Sequence, residues 1–228
     1  MKPYTSIRLL IVLLLVCLGS NAAFAQTKTF GSRLRNPVNL AIGPDVAPRL
    51  DSITGQPTLL PTGQTTCTMR FTGYFGNVTR LGSIVPSNGT ITKVRIRSGN
   101  NPAPVRVVII RGSAGLYGTL VRQSRVFRLR PNAVTTLTVN LPVRRTFTVG
   151  TSGLQQVTDA VGLSAVGLGT LPFHDDGTAG TFAVGSGFTQ LWYGQMERNI
   201  PRNFDGYVAD GLELLMQWDF VPAARAVN

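Results

Sequence analysis

Few residues in this sequence are suited to acid–base or nucleophilic chemistry. His174 is the one histidine among 228 residues, and it lies in "FHDDG" beside Asp175 and Asp176. A Ser-His-Asp arrangement would depend on this histidine, because the imidazole activates the serine. The Asp-Gly context instead predicts a polar loop tip. A zinc centre needs several His, Cys or carboxylate ligands, and the sequence is too poor in histidine and cysteine to build one.

Paired carboxylates across a cleft would indicate glycoside hydrolysis. The sequence has ten acidic residues, of which Glu197 and Asp205 are the first candidates because aromatic and basic residues surround them. Neither a nucleophile elbow nor a phosphate-binding loop occurs. The sequence therefore predicts a protein that is not an enzyme.

Two aspartate-containing loops offer oxygen ligands for Ca²⁺. Residues 175–180 ("DDGTAG") and 205–210 ("DGYVAD") combine carboxylates with backbone carbonyls, which a hard cation accepts. The candidate calcium ligands are Asp175, Asp176, Asp205 and Asp210. Ordinary Asp-Gly turns explain the same loops without an ion. No other cofactor is expected.

The stretch "LWYGQMERNIPRNFDGY" (residues 191–207) has the composition of a ligand site. Its aromatic rings could stack on sugars, while its charged and amide groups could bond hydroxyls. The candidate ligand-binding residues in this stretch are Trp192, Tyr193, Arg198, Arg202 and Tyr207. Strand alternation predicts, as the alternative, that Trp192 or Tyr193 belongs to the core.

The segment "TITKVRIR" (residues 90–97) has the alternation of a strand with one basic face. Three cations, Lys93, Arg95 and Arg97, should share that face with Ile91, while Val94 and Ile96 face the core. The cations could bind a polyanion. They could equally form a solvated face that prevents edge-to-edge aggregation.

The charge of the chain favours an anionic partner. There are 22 basic residues against 10 acidic ones, which gives a formal net charge of +12. An acidic polysaccharide, a wall polymer or anionic lipid headgroups would be attracted. An arginine-rich composition can also reflect a GC-rich genome.

The first 25 residues have the pattern of a secretory signal peptide. Lys2 and Arg8 precede the apolar run "LLIVLLLVCL", and "AFA" places small residues before Gln26. An apolar run of about ten residues is too short for a membrane helix, which needs about 20. We therefore expect cleavage before Gln26, secretion or cell-surface exposure, and no transmembrane segment in the remaining chain. Lipidation at Cys17 is the alternative. Nucleic acid becomes an unlikely partner.

After cleavage Cys67 is the single cysteine, so it cannot form an intrachain disulfide. We predict a buried apolar residue rather than a reactive thiol.

The rest of the chain predicts an all-β fold. Short apolar runs rich in Thr and Val alternate with Gly- and Pro-containing turns, which is typical of a sandwich or barrel. We predict a strand at residues 38–42 and a hairpin between residues 90–97 and "VRVVIIR" (105–111). The strand at residues 135–141 should break at Pro142. In "LELLMQWDF" (212–220), the even-numbered residues should face the core.

Several phrases resemble those of a group of largely uncharacterised secreted proteins of high-GC Gram-positive bacteria. The phrases are "TCTMRF", "NGTITKVRIRSG", "VRVVIIRG", "DAVGLSAVG" and "DGLELLMQWDFVP", spread over residues 30–222. The resemblance implies an exported, jelly-roll-like β-sandwich without known chemistry. Acidic calcium-binding repeats, which members often carry, do not occur in this sequence.

These observations predict a signal-peptide helix (1–25), an extended segment packing on the sandwich (26–64), an antiparallel two-sheet sandwich (65–222) and a tail (223–228). The predicted function is a secreted, non-catalytic module that binds extracellular carbohydrate or an acidic cell-wall or matrix polymer. A structural or self-assembling surface protein is the alternative, and a secreted hydrolase the third choice.

Overall fold

The protein is all-β in the residues that the structure describes. The computed structural model describes residues 26–40, 43–50, 57–72, 84–113, 117–150, 153–175, 188–203, 208–210 and 212–224. Within these ranges there is no helix, so none that could cross a bilayer. All strand pairs within the sheets are antiparallel. The predicted signal-peptide helix lies outside the described residues.

The described residues form sixteen strands. In chain order they are β1 (Lys28–Gly31), β2 (Val46–Leu50), β3 (Pro57–Pro61), β4 (Cys67–Thr72), β5 (Gly89–Arg97), β6 (Val105–Ser113), β7 (Tyr117–Gln123), β8 (Val134–Val143), β9 (Arg145–Gly150), β10 (Gly153–Ala165), β11 (Phe173–Asp175), β12 (Phe188–Tyr193), β13 (Pro201–Asn203), β14 (Val208–Asp210), β15 (Leu212–Leu214) and β16 (Met216–Pro222).

Most strands belong to two large sheets. The four-stranded sheet has the order β1-β16-β5-β8. The eight-stranded sheet has the order β13-β7-β6-β10-β4-β12-β14, and β9 pairs with β10 beside this path. Two small sheets, β11-β15 and β2-β3, complete the fold.

One buried cluster contains side chains from both large sheets. The four-stranded sheet contributes Trp218 and Phe220, and the eight-stranded sheet contributes Val107, Ile109 and Leu163. All five are fully buried. The even-numbered stripe predicted for the last strand is therefore confirmed from residue 214 to residue 220.

The N-terminal strand closes over this cluster. The Phe30 ring stacks on Trp218 with centroids 4.7 Å apart, and it meets Phe220 edge-on at 6.3 Å. Strand β1 is thereby held to β16 by ring packing as well as by the ladder.

A second, smaller hydrophobic cluster covers part of the other face of the eight-stranded sheet. Val108 and Ile110 of β6 form a second cluster with Leu120 and Met196, and Trp192 packs against it. Because β6 is covered on both sides, it tolerates apolar residues at both parities, as its sequence predicted.

Strand β10 packs closely against its neighbour β4. Val161 and Leu163 are fully buried on one face. A side chain at Gly162 would stand 2.6 Å from the carbonyl oxygen of Met69 on β4. Glycine at this position therefore allows β4 to approach β10 closely.

The predicted hairpin between β5 and β6 is wrong. These strands lie in different sheets, where β5 pairs with β16 and β8 while β6 pairs with β7 and β10. The loop between them bonds elsewhere, since the Ala103 amide donates to Thr170 and the Thr170 amide to Asn101. Alternation identifies a strand but not its partner.

The predicted position of Ile91 on the basic face is also wrong. On the β16 side, Phe220 pairs with Ile91 and Asp219 pairs with Lys93, so Thr92 is an extra residue in the ladder between β5 and β16. Such a bulge reverses the alternation, and Ile91 turns into the core.

Three boundaries differ from the sequence-based expectation. Residues 38–40 are not a strand, and residues 41–42 lie outside the described part. Strand β8 continues through Pro142, which an edge strand tolerates, and ends at Val143. The last predicted strand divides at Leu215, where β15 leaves to pair with β11.

Replacing Trp218 with alanine should lower the free energy of unfolding by about 3–5 kcal/mol, because the surrounding strands cannot collapse into the vacated volume. Urea denaturation measures this. Leu168, which is 61% exposed, provides the control. Leu168→Ala should change stability by less than about 0.5 kcal/mol. Equal effects of the two substitutions would contradict the placement of Trp218.

Candidate ligand-binding site

His174 lies in a strand and not at a loop tip. It pairs with Glu213 across the β11–β15 ladder, and its Nδ1 lies 2.9 Å from the carbonyl oxygen of Pro37. The Glu213 carboxylate accepts a hydrogen bond from Asn36 at 2.9 Å. These contacts hold the segment after β1 against the β11–β15 sheet.

Glu197, one of the two acids considered for glycoside hydrolysis, is exposed and lies 3.4 Å from Arg202. The other, Asp205, lies outside the described residues. The structure therefore leaves the proposed acid pair untested.

Among the residues that the structure describes, Asp159 and Asp219 are buried acids, and each holds an arginine. Asp159 accepts hydrogen bonds from Arg111 at 2.8 and 3.1 Å and from the Arg144 amide at 2.7 Å. Asp219 accepts two from Arg95, at 2.8 and 2.9 Å. A buried carboxylate needs such partners, so both acids have structural roles.

Lys93, Arg95 and Arg97 lie on one face of β5, but both arginines are bonded to other parts of the protein. Lys93 is exposed, whereas Arg95 is paired with Asp219 and Arg97 donates from Nε to the carbonyl oxygen of Leu34 at 2.7 Å. Thr29 on β1 also donates to Asp219. This face therefore joins β5 to its neighbouring segments and retains less free positive charge than the sequence suggested.

The aromatic stretch divides between packing roles. Tyr193 is 9% exposed and belongs to the main core, which confirms the alternative that one of the two neighbouring rings is internal. Trp192 packs on the second cluster, and the Arg202 guanidinium lies 5.5 Å from the centre of its ring. Tyr207 lies outside the described residues.

The candidate calcium ligands are only partly described. Asp176 and Asp205 lie outside the described residues, while Asp175 ends β11 and Asp210 ends β14. Asp175 pairs with Leu212, two positions after Asp210. Within the described ranges, no three His, Cys, Asp or Glu residues group as metal ligands.

A pocket of about 320 Å³ lies where the edges of the two large sheets meet. Its lining combines two guanidinium groups, two carboxamides and an apolar floor. The lining residues are Leu120, Arg122 and Gln123 of β7, Asn140, Leu141 and Pro142 of β8, and Arg198.

Local pairing opens this pocket. Strand β13 covers β7 from Tyr117 to Thr119 only, so the end of β7 is not covered by β13. At that point Leu120 forms a bridge with Arg198, and the Asn199 amide donates to the Leu120 carbonyl at 2.9 Å. Asn199 has a φ of 63°, a left-handed conformation that asparagine tolerates. This turn fixes Arg198 beside β7.

The pocket suits an anionic, hydroxyl-bearing ligand. Guanidinium groups bond carboxylate or phosphate oxygens through two parallel hydrogen bonds, and carboxamides donate to and accept from hydroxyls. Arg122 is half-buried and Arg198 is exposed, and neither is ion-paired to an acid in the described ranges.

Of the predicted binding residues that the structure describes, Arg198 lines the pocket. Lys93, Arg95 and Arg97 lie on β5, and Trp192 and Arg202 pack together outside it. Sequence reasoning missed Gln123 and Asn140. Alternation in "TTLTVNL" shows that Asn140 faces outward, but it does not show that β7 lies opposite.

Cys67 should be unreactive in the folded protein. It is fully buried, and burial raises the pKa of its thiol far above the ordinary value. In a Cys17→Ser chain, a thiol reagent such as DTNB should label Cys67 only after unfolding. Immediate stoichiometric labelling of the native protein would contradict this.

Asp219→Asn should flatten the acid dependence of stability. Hydrogen bonding from Arg95 lowers the pKa of Asp219 below its ordinary value of 3.8. Since this pKa is lower in the folded than in the unfolded chain, the carboxylate stabilises the fold above about pH 4. The stabilisation is lost as the pH falls through the folded pKa.

Urea denaturation between acid and neutral pH measures this dependence. Asp45→Asn, which removes an exposed carboxylate, is the control. A stability profile for Asp219→Asn as steep as that of the wild type would refute the role of the Arg95 pair.

Comparison of the chain with protein-family models, with curated proteins and with solved structures finds no match in any of the three. The function is therefore argued from the geometry of the pocket.

Proposed function

We propose that this protein is a secreted, non-catalytic module that binds extracellular carbohydrate, in particular an acidic cell-wall or matrix polymer. The observation that carries the proposal is the pocket between the edges of β7 and β8. It places Arg122 and Arg198 with Gln123 and Asn140 around an apolar floor.

Each part of the lining has a counterpart in an acidic sugar. The two guanidinium groups pair with a carboxylate or another anionic oxygen. The amides of Gln123 and Asn140 bond ring hydroxyls, and Leu141 and Pro142 contact the apolar C–H face. A few placed polar groups over an apolar surface are typical of small-ligand pockets, whose volumes begin at about 300 Å³.

The net positive charge of the chain also favours binding of an acidic polymer. Without Lys2 and Arg8 of the proposed signal peptide, the formal net charge falls from +12 to +10 (12 − 2). That charge attracts a polyanion before contact, and salt screens the attraction over about 8 Å at physiological ionic strength. The proposed interaction is therefore sensitive to salt.

The proposal also includes a more specific fold, a jelly-roll-like sandwich of two sheets. Side chains of the four- and eight-stranded sheets share one buried cluster, which supports a jelly-roll-like two-sheet sandwich. The N-terminal pattern of charges, apolar run and small residues supports secretion. The non-catalytic assignment is supported by the structural pairing of both buried acids.

Arg122→Gln and Arg198→Gln should each weaken binding to an acidic polysaccharide about tenfold or more, because each removes a charged hydrogen-bonding group. Affinity chromatography on immobilised polyuronate, followed by titration calorimetry at low and high salt, measures this. Wild-type binding should weaken as salt rises.

Arg128→Gln is the matched control, because Arg128 is exposed, carries the same charge and lies outside the pocket. It should reduce binding far less. If all three variants weaken binding equally, net charge and not the pocket determines retention. If none does, the pocket is not the binding site.

A further inference from the structure

A row of exposed side chains continues from the pocket along the end of β8. Asn140, Pro142 and Arg144 are exposed, whereas Leu141 and Val143 between them are buried. Side chains alternate along extended chain, so the three exposed residues share one side. The first two line the pocket, and Arg144 lies beyond it.

The backbone at Arg144 is fixed while its side chain is exposed. Its amide donates to the Asp159 carboxylate at 2.7 Å, and its carbonyl accepts from the Asp159 amide at 3.0 Å. The Asp159 carboxylate is itself paired with Arg111. The guanidinium of Arg144 therefore projects from an anchored point.

Chain geometry limits how far this third cation lies from the pocket. Two residues of extended chain span at most about 7 Å, and four span at most about 14 Å. The Cα of Arg144 thus lies within about 7 Å of that of Pro142 and about 14 Å of that of Asn140. Strand β8 is also the last strand of its sheet, so this row follows a sheet edge.

We propose that the binding site extends along β8 to Arg144 and accepts a linear polysaccharide with a carboxylate on each repeating unit. This inference rests on the proposed function of the pocket. One anionic group lies between Arg122 and Arg198, the chain passes over Asn140 and Pro142, and a later group meets Arg144.

Polymer length is the property that such a site detects. Once the first sugar occupies the pocket, contact with Arg144 is intramolecular, and the second contact forms at a high effective concentration. A monosaccharide reaches the pocket alone. Affinity should therefore rise when the oligomer becomes long enough to reach Arg144, and then level off.

The experiment compares uronate oligomers from the monomer to the hexamer by titration calorimetry with the full chain. Wild-type affinity should increase about three- to fivefold across the series, as expected for one exposed ion pair. Arg144→Gln should abolish that increase and leave monomer binding unchanged. Arg122→Gln should weaken binding at every length, and Arg128→Gln should change neither pattern.

The outcomes separate this inference from the proposed function. If wild-type affinity does not depend on length, or if Arg144→Gln weakens monomer and hexamer equally, the extension to Arg144 is wrong and the pocket stands. If Arg122→Gln has no effect at any length, the pocket itself is refuted. Polyphosphate of matched length is a parallel arm. Equal, length-dependent binding of polyphosphate would overturn the assignment to a carboxylated polysaccharide.

Discussion

The fold depends on the burial of one stripe of side chains on β16. Trp218 and Phe220 are fully buried, and they contact the core beneath both large sheets. Strand β16 lies between β1 and β5, so the same residues connect the N-terminal strand with the middle of the chain. Phe30 adds ring stacking to this connection. The edge of β8, and with it one wall of the pocket, follows from how β5 docks against this strand.

Ion pairs with buried acids determine which arginines remain available to bind a ligand. Asp159 and Asp219 are the buried acids of the described residues, and each engages one guanidinium through two hydrogen bonds. Removing a buried charge from water is costly, and a partner of opposite sign offsets this cost. The arginines of this basic chain therefore have two kinds of role. Some arginines neutralise buried acids or bond carbonyls, as Arg97 does, while Arg122 and Arg198 face the pocket.

Local patterns in the sequence predicted the strands and most of their faces. The stripe of β16 and the double-sided burial of β6 follow from the parity of apolar residues, because the geometry of a strand is local. The bulge at Thr92, the sheet to which β6 belongs and the meeting of β7 with β8 depend on contacts between distant residues. For the same reason Arg198 could be proposed from its neighbours, whereas Asn140 could not. The strand opposite Asn140 is β7, and the residues next to Asn140 in the sequence do not identify it.

The pairing of β16 also constrains when the protein can fold. Arg95 bonds Asp219 across 124 positions of sequence, and Thr29 bonds it across 190. During synthesis, neither contact can form until nearly the whole polypeptide has left the ribosome. Contacts between such distant residues slow folding, because a long loop must close before they form. The growing chain therefore carries the apolar sides of β1 and β5 without their β16 partner for most of its translation.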